Sequence, residues 1–473
     1  MSSSSSPTNQ RWYQGIGRYQ WMVLLVASLG WVFDVFEGQI FVASMREAMP
    51  ALLPQDLAAS ELSAQVNRWN NIALGFFLFG GAVGGVVFGA MSDRIGRSRT
   101  LIFTILVYSL FTSVTAFAET PWQMVILRFI VAMGVGGEWA VASAMVAEVM
   151  PSRSRPIMSS IFHASSVLGT LLAAAAGAYI VGNPDLGENA WRWGFALGAF
   201  PALLTVYVRW KLKEPKQWRQ MRERVDSASE EQPGRVFDLF KKAHLKNTLI
   251  GVSLASIGLV TFWGVHIYGK NALLSYERNV IINESQIGGL VLEADQLNAI
   301  LEQPDNLKRM KRAEMTSMVL HTLGGGLGLV LFGGISQRIG RKRTFAFYHA
   351  GAFVISLFLF RFLIDSDASR MAFIITLPFF GFLTLGLHAG YAVYFPELYP
   401  TRLRGTGSGF CFNMGRVATG LVILLAAWMQ GSVEQGGLGM SVKETALLLN
   451  WLFLAGIVLV FFAKETRGEE LVE

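Results

Sequence analysis

Asp34, Glu37, Arg128, Glu138 and Arg416 each interrupt a long apolar run. A charge placed deep in hydrocarbon is costly, so such residues are functional candidates by default. Asp34 and Glu37 stand three apart and share a helical face. A carboxyl group in a low-dielectric cavity can exchange a proton near working pH, and a neighbouring arginine shifts that balance. Proton carriage is therefore the chemistry open to Asp34, Glu37 and Glu138, with Arg128 holding a carboxylate until protonation releases it. Glu138 has an equally good reading as a packing residue beside the Gly134–Gly137 cluster, where small residues let helices approach closely. Arg416 keeps its charge, and its planar fork suits a carboxylate in two parallel hydrogen bonds. It is the best anion-binding candidate, with Asn413 one turn earlier. The competing reading pairs Arg416 with a carboxylate of another helix. His321 and His266 are of the one residue type whose ordinary charge change falls near neutrality, so each is a switch candidate, though a lone membrane histidine more often makes an interhelical hydrogen bond. Trp139 beside Glu138 either stacks on a ligand or packs.

The elements that must hold these residues follow from composition. The chain has 473 residues, 52% hydrophobic and only 15% charged. Soluble chains carry about a quarter charged residues. One cysteine, Cys411, excludes a disulfide framework and a cysteine zinc site. Runs of about 20 apolar residues cross a bilayer as helix. Twelve occur: 20–43, 69–90, 100–118, 122–147, 158–181 and 191–210, then 247–268, 314–335, 345–363, 371–395, 406–429 and 445–463. The fold class is therefore an all-α membrane protein. Basic residues after the second, fourth, sixth, eighth and tenth runs fall on one side if both termini are cytoplasmic. The net charge of +7 is thus a topology signal and not a nucleic-acid footprint. Lys308, Arg309, Lys311 and Arg312 disagree, closing a long external loop over 270–313 that should carry some helix. No phosphate-binding G-x-x-x-x-G-K-[ST], G-x-S-x-G or H-E-x-x-H occurs, so neither direct ATP drive nor a hydrolase has support, and no cofactor is expected.

The chain also repeats itself. Gly89-Ala-Met-Ser-Asp93-Arg94-Ile-Gly96-Arg97-Ser-Arg-Thr100 returns as Gly333-Gly-Ile-Ser-Gln337-Arg338-Ile-Gly340-Arg341-Lys-Arg-Thr344. Glu148-Val-Met-Pro-Ser-Arg153-Ser-Arg155 returns as Glu397-Leu-Tyr-Pro-Thr-Arg402-Leu-Arg404. Two six-helix halves, able to rock about a midplane site, account for both pairs. The division is a tail at 1–19, a bundle at 20–210, a cytoplasmic linker at 211–246, a bundle at 247–463 and a tail at 464–473.

These motifs resemble the major facilitator superfamily over nearly the whole chain. Gly136-Gly137-Glu138-Trp139, with Asp34, Glu37 and Asn413-Met-Gly415-Arg416, is similar to its sialate and lactate proton symporters. The set is also similar to its aromatic-acid symporters and organic-anion and organic-cation transporters. The resemblance implies proton-coupled symport of a small organic acid in the plasma (inner) membrane, by a monomer with no catalytic activity, and a central cavity lined by span one, which favours Asp34 and Glu37 as the proton carriers. It implies that Gly89, Asp93, Arg94, Gly96 and Arg97 latch the halves in the outward-open state. Arg338, Gly340 and Arg341 form the second copy. Gln337, uncharged where the first copy has Asp93, should make that copy a weaker lock. Glu148 with Arg153 and Arg155, and Glu397 with Arg402 and Arg404, should be ion pairs at helix ends. Lys464-Glu-Thr-Arg-Gly468 looks like a sugar-porter helix end and keeps a sugar or polyol porter open, beside an organic-cation carrier.

Overall fold

The computed structural model describes residues 11–54, 56–181, 186–187, 189–227, 232–285, 294–364, 368–433 and 436–473. Among them there is no strand. Spans one to four are single helices, Arg18–Leu52, Ala59–Ile95, Arg97–Thr115 and Pro121–Val149. Span five runs through Arg155–Ala164 and Ser166–Ala176 into a π-helical turn, Gly177–Val181. Span six is Ala190–Ala196, a 3-10 turn and Phe200–Lys211. Span seven is Lys242–Thr261, a π-helical turn at Phe262–His266 and Ile267–Lys270. Spans eight to ten are Pro304–Ile339, Arg341–Leu357 and Arg370–Gly386. Span eleven is Arg404–Gln430, and span twelve joins Val442–Asn450 to Leu452–Phe462. Among the described residues, eleven helices are long and apolar enough to cross a membrane. The segment 190–211 fills the remaining, sixth position.

The segment over 270–313 is more helical than the sequence suggested. Ala272–Ser285 extends the line of span seven, Ala294–Leu301 follows, and span eight begins at Pro304; residues 286–293 lie outside those described. The discordant cations partly find carboxylates here. Arg309 reaches Glu277 at 2.9 Å and Glu284 at 2.7 Å, and Lys308 reaches Asp305 at 3.7 Å. Neutralised in this way, they weigh less against the topology than their number suggests.

Both repeated loops reverse the chain on a single residue that ends one helix and starts the next. Gly96 has φ +117° and Gly340 has φ +96°. A side chain is strained in that region, which accounts for the glycine in each copy. We call the end of the bundle that carries both loops the basic end.

Spans two and four are in backbone contact. A Cβ on Gly84 would meet the Met133 carbonyl oxygen at 2.0 Å, and one on Gly136 would meet the Gly81 carbonyl oxygen at 2.1 Å. Backbone cannot swing aside as a side chain can. Gly84→Ala gains roughly 1 kcal/mol of helix propensity, but overpacking costs about 1–3 kcal/mol. The expected result is a lower melting temperature of the detergent-solubilised protein; an unchanged or higher one would show that the two spans can separate.

Candidate functional site

The basic end holds a charge network that joins the two bundles. Asp93, at the end of span two, accepts from the Gly405 amide at 3.0 Å, the Thr406 amide at 2.8 Å and the Thr406 hydroxyl. These are the first N–H groups of span eleven, so Asp93 caps a helix of the other bundle, where a carboxylate also meets the positive end of the helix dipole. Arg97 pairs with Asp93, grips Glu148 with Nε at 3.2 Å and Nη2 at 2.7 Å, and donates to the Thr401 carbonyl at 2.9 Å. Arg404 crosses from the second bundle to Glu148 at 2.9 Å. All four charged groups are buried.

Here the structure corrects the expected ion pairs. Glu148 binds Arg97 and Arg404, not Arg153 and Arg155. Glu397 binds Arg341, with Nε at 3.0 Å and Nη2 at 2.6 Å, not Arg402 and Arg404. Arg155 instead donates to the Ala147 carbonyl at 3.0 Å, and Arg402 pairs with Asp238 of the linker at 2.8 Å. Arg94 also turns to the linker, donating to the carbonyls of Pro233 and Gly234. Arg338 is exposed.

The second copy of the lock is poorer in bonds. The buried Gln337 Oε1 meets no donor. Counting from the repeated Glu, Pro156 stands where Gly405 does and Ile157 where Thr406 does. Proline has no amide hydrogen and isoleucine no hydroxyl. Two of the three donors that serve Asp93 are therefore missing, beyond the missing charge.

Two network residues went unnoticed in the sequence. Glu214 accepts from the Arg97 amide at 2.7 Å and the Ser98 amide at 3.1 Å, capping span three. Glu465 caps span nine in the same way, from Arg341 at 2.9 Å and Lys342 at 3.1 Å. Burial pushes the Glu214 carboxyl above its ordinary value, while the Ser98, Arg97 and Arg99 amides pull the other way. The signal was available: Lys213-Glu214 follows span six as Lys464-Glu465 follows span twelve. The C-terminal tail adds a strap, with Glu470 accepting from Ser152 at 2.7 Å and the Val472 carbonyl from Arg404 at 2.7 Å.

The mid-membrane charges form two groups. Glu37 is held by Arg128 and by the Thr112 hydroxyl at 3.1 Å. Arg128 further donates to the Thr115 hydroxyl at 2.7 Å and lies over the Phe195 ring at 4.9 Å. Asp34 does not join them. It lies one turn beyond Gly30, against which the Glu138 carboxyl packs, and no oxygen of either carboxyl meets a donor. Arg416 completes the second group. Its Nη1 is shut from solvent without a hydrogen-bond partner, and it forms no ion pair among the described residues. Asp34 attracts it from beyond pairing distance. Arg416 lies against Gly81, whose added Cβ would meet Nη1 at 2.2 Å, and over the Phe412 ring at 5.7 Å.

Asn413 is buried between bundles. Its amide donates to the Gly409 carbonyl at 2.9 Å and, across the interface, to Gly136 at 3.3 Å, which leaves only Oδ1 unmet. Trp139 is enclosed too, stacked on Phe412 at 3.9 Å and bonded through Nε1 to His163 at 3.2 Å. His266 and His321 come together at 3.1 Å, with His266 Nδ1 also 2.7 Å from the Thr384 hydroxyl. Thr384 gives its own hydrogen to the Phe380 carbonyl at 2.6 Å. His266 Nδ1 must then carry the proton and share it between Thr384 and His321 Nε2. That assignment leaves His321 protonated on Nδ1, a buried donor with no partner. His266 owes its place to the π-helical turn of span seven, a distortion frequent at functional sites.

Two six-helix bundles, sewn together at one end by buried ion pairs and enclosing unpaired charges halfway along, define a membrane transporter. The Major Facilitator Superfamily model matches residues 35–293, and a "Sugar (and other) transporter" model matches 314–473. This chain belongs to the Major Facilitator Superfamily, and it is a transporter and not an enzyme. It is 25% identical to the sialic acid transporter NanX of Escherichia coli (strain K12), over 91% of either chain. It is 28% identical to the cis,cis-muconate transport protein of Acinetobacter baylyi, over 83% of this chain and 84% of that one. Among solved structures, the proton:xylose symporter XylE bound to 6-bromo-6-deoxy-D-glucose matches with a TM-score of 0.73. That match is 18% identical, over 96% of this chain and 98% of the other, and speaks for the fold alone.

Proposed function

We propose that this chain is a proton-coupled symporter of a small organic acid, a monocarboxylate, sialate or aromatic acid, working by alternating access. The observation that carries the reading is Arg416: a half-buried guanidinium with an unmet donor and, among the described residues, no carboxylate within pairing distance. Such a cation in the middle of a membrane wants an anion, and the substrate supplies it in two charge-assisted bonds. The relatives named for sialic acid and muconate support an acid as substrate. Asp34 and Glu138 carry the proton, because both carboxyls are buried with no donor, where the charged form is costly until a proton neutralises it. Glu37, held through Oε1 by Arg128 and Thr112 while its Oε2 meets no donor, is a holding contact within the first bundle. In this reading His321 and Trp139, both buried here, meet the acid only once the bundles part. The basic end is cytoplasmic, in an inner membrane, and one chain suffices.

The test is uptake by the purified protein in liposomes under an inward proton gradient, with labelled sialate, muconate, lactate and xylose. Accumulation of one acid that vanishes when the gradient is collapsed supports the reading. Xylose equilibration indifferent to the gradient replaces it with a sugar porter, and uptake of an organic cation alone with a cation carrier. Within the same assay, Glu138→Gln and Asp34→Asn should each cut gradient-driven accumulation at least tenfold while sparing acid-for-acid exchange. If both variants keep the wild-type pH dependence of uptake, the carboxyl pair does not carry the proton.

A further inference from the structure

Between spans nine and twelve, at the basic end, lies a groove of about 490 Å³. Its floor is apolar, made by Ala346, Ile457 and Phe461, and Phe461 is 70% exposed. Its rim is cationic, made by Lys342, Arg343 and Arg467. The one carboxylate at the rim, Glu465, is already bonded to the amides of Arg341, Lys342 and Arg467. Lys342 Nζ donates to the Phe461 carbonyl at 2.8 Å, which leaves two of its three hydrogens. Arg343 and Arg467 are exposed, and their guanidinium groups make no hydrogen bond or ion pair among the described residues. Three cations thus surround an occupied carboxylate at the level where the helices leave the membrane.

Ordinary topology anchoring does not require this arrangement. In the first bundle, Ser98 stands where Lys342 does in the repeated loop, so the corresponding rim has one cation fewer. The combination of an apolar trough with a cationic mouth matches one class of molecule, a lipid whose acyl chain covers Phe461 while its phosphate meets the cations. Basic pockets between transmembrane helices select anionic headgroups on these grounds. We propose that this groove binds an anionic phospholipid of the leaflet at the basic end, with Lys342, Arg343 and Arg467 on its phosphate. The proposal does not depend on what the protein transports.

Native mass spectrometry of the intact protein in neutral detergent tests it, with dioleoyl phosphatidylglycerol and dioleoyl phosphatidylcholine as probes. Wild type should hold phosphatidylglycerol at least tenfold more tightly than phosphatidylcholine. The Arg343→Gln/Arg467→Gln double variant, altered only at exposed side chains, should lose that preference. Ala346→Trp, which fills the floor and leaves every cation, should weaken both lipids. Equal retention of phosphatidylglycerol by wild type and the double variant would overturn the site. Displacement of the lipid by millimolar inorganic phosphate would overturn the lipid as occupant and leave a free-anion site.

Discussion

Replacing Arg416 by methionine is expected to abolish uptake of the transported acid while leaving the melting temperature unchanged or raised. The two halves of that expectation have one origin. A half-buried guanidinium whose Nη1 is shut from solvent, with no ion pair among the described residues, does not stabilise the fold; desolvation makes it a cost. A methionine of similar length fills the space against Phe412 and Gly81 without that cost. The substrate, by contrast, loses its counter-charge. A hydrogen bond to a charged group contributes about 1.5–3 kcal/mol, which corresponds to roughly 10–150-fold in affinity for each bond lost. Arg416→Lys keeps the charge but not the fork and should raise KM at least tenfold. The paired measurements separate this reading from its rival. If Arg416 served as half of a structural ion pair, its removal would leave a carboxylate stranded and lower the melting temperature by several degrees. Normal uptake by Arg416→Lys would sink the two-bond geometry.

Asp93→Ala should release the basic end. One carboxylate there serves Arg97, two backbone amides and a hydroxyl, and three of those four partners belong to or lead into span eleven of the other bundle. Breaking a buried pair by removing one partner costs about 3–5 kcal/mol. The Arg97 pair lies within the first bundle, but the three bonds to Gly405 and Thr406 exist only when the bundles meet; at about 1.5–3 kcal/mol for a bond to a charged group, their loss falls on the closed conformation and should shift its population by more than a hundredfold. A cysteine placed at the buried Ser408, in a Cys411→Ser background, reports the opening by its labelling with a membrane-impermeant thiol reagent from the basic side. Asp93→Ala should speed the labelling at least tenfold, and Gln337→Ala should change it far less. Equal labelling in wild type and Asp93→Ala would mean that the other contacts across the seam, Arg404–Glu148 and Arg97–Thr401 among them, suffice to hold the bundles together.

The sequence was most legible where covalent spacing does the work. Apolar runs of bilayer length placed the helices, and Gly96 and Gly340 marked the reversals because only glycine sits easily at their φ values. It was least legible where a helix's rotation chooses the partner. Asp34 and Glu37 were read as one face, yet three residues turn a helix to within about 60° and not 0°. That difference sends Glu37 to Arg128 and leaves Asp34 without a donor. Glu148 likewise passes over arginines five and seven residues away for Arg97 and Arg404, which sequence places far off and packing brings near. The meeting of His266 with His321 depends on a π-helical turn that no spacing announces.

Pro156 has a consequence for how the molecule moves. The seam of spans two and eleven is fastened by a charge and three donors, and Arg404 crosses it to Glu148. The seam of spans eight and five offers an unbonded amide oxygen to a residue with no hydrogen to give, and Arg155 makes no ion pair with Glu397. When the basic end opens, the two sides do not yield together. The span eight–five side is expected to part first and swing, with the span two–eleven side as its pivot, so that the doorway at the basic end widens as a wedge before it widens as a ring.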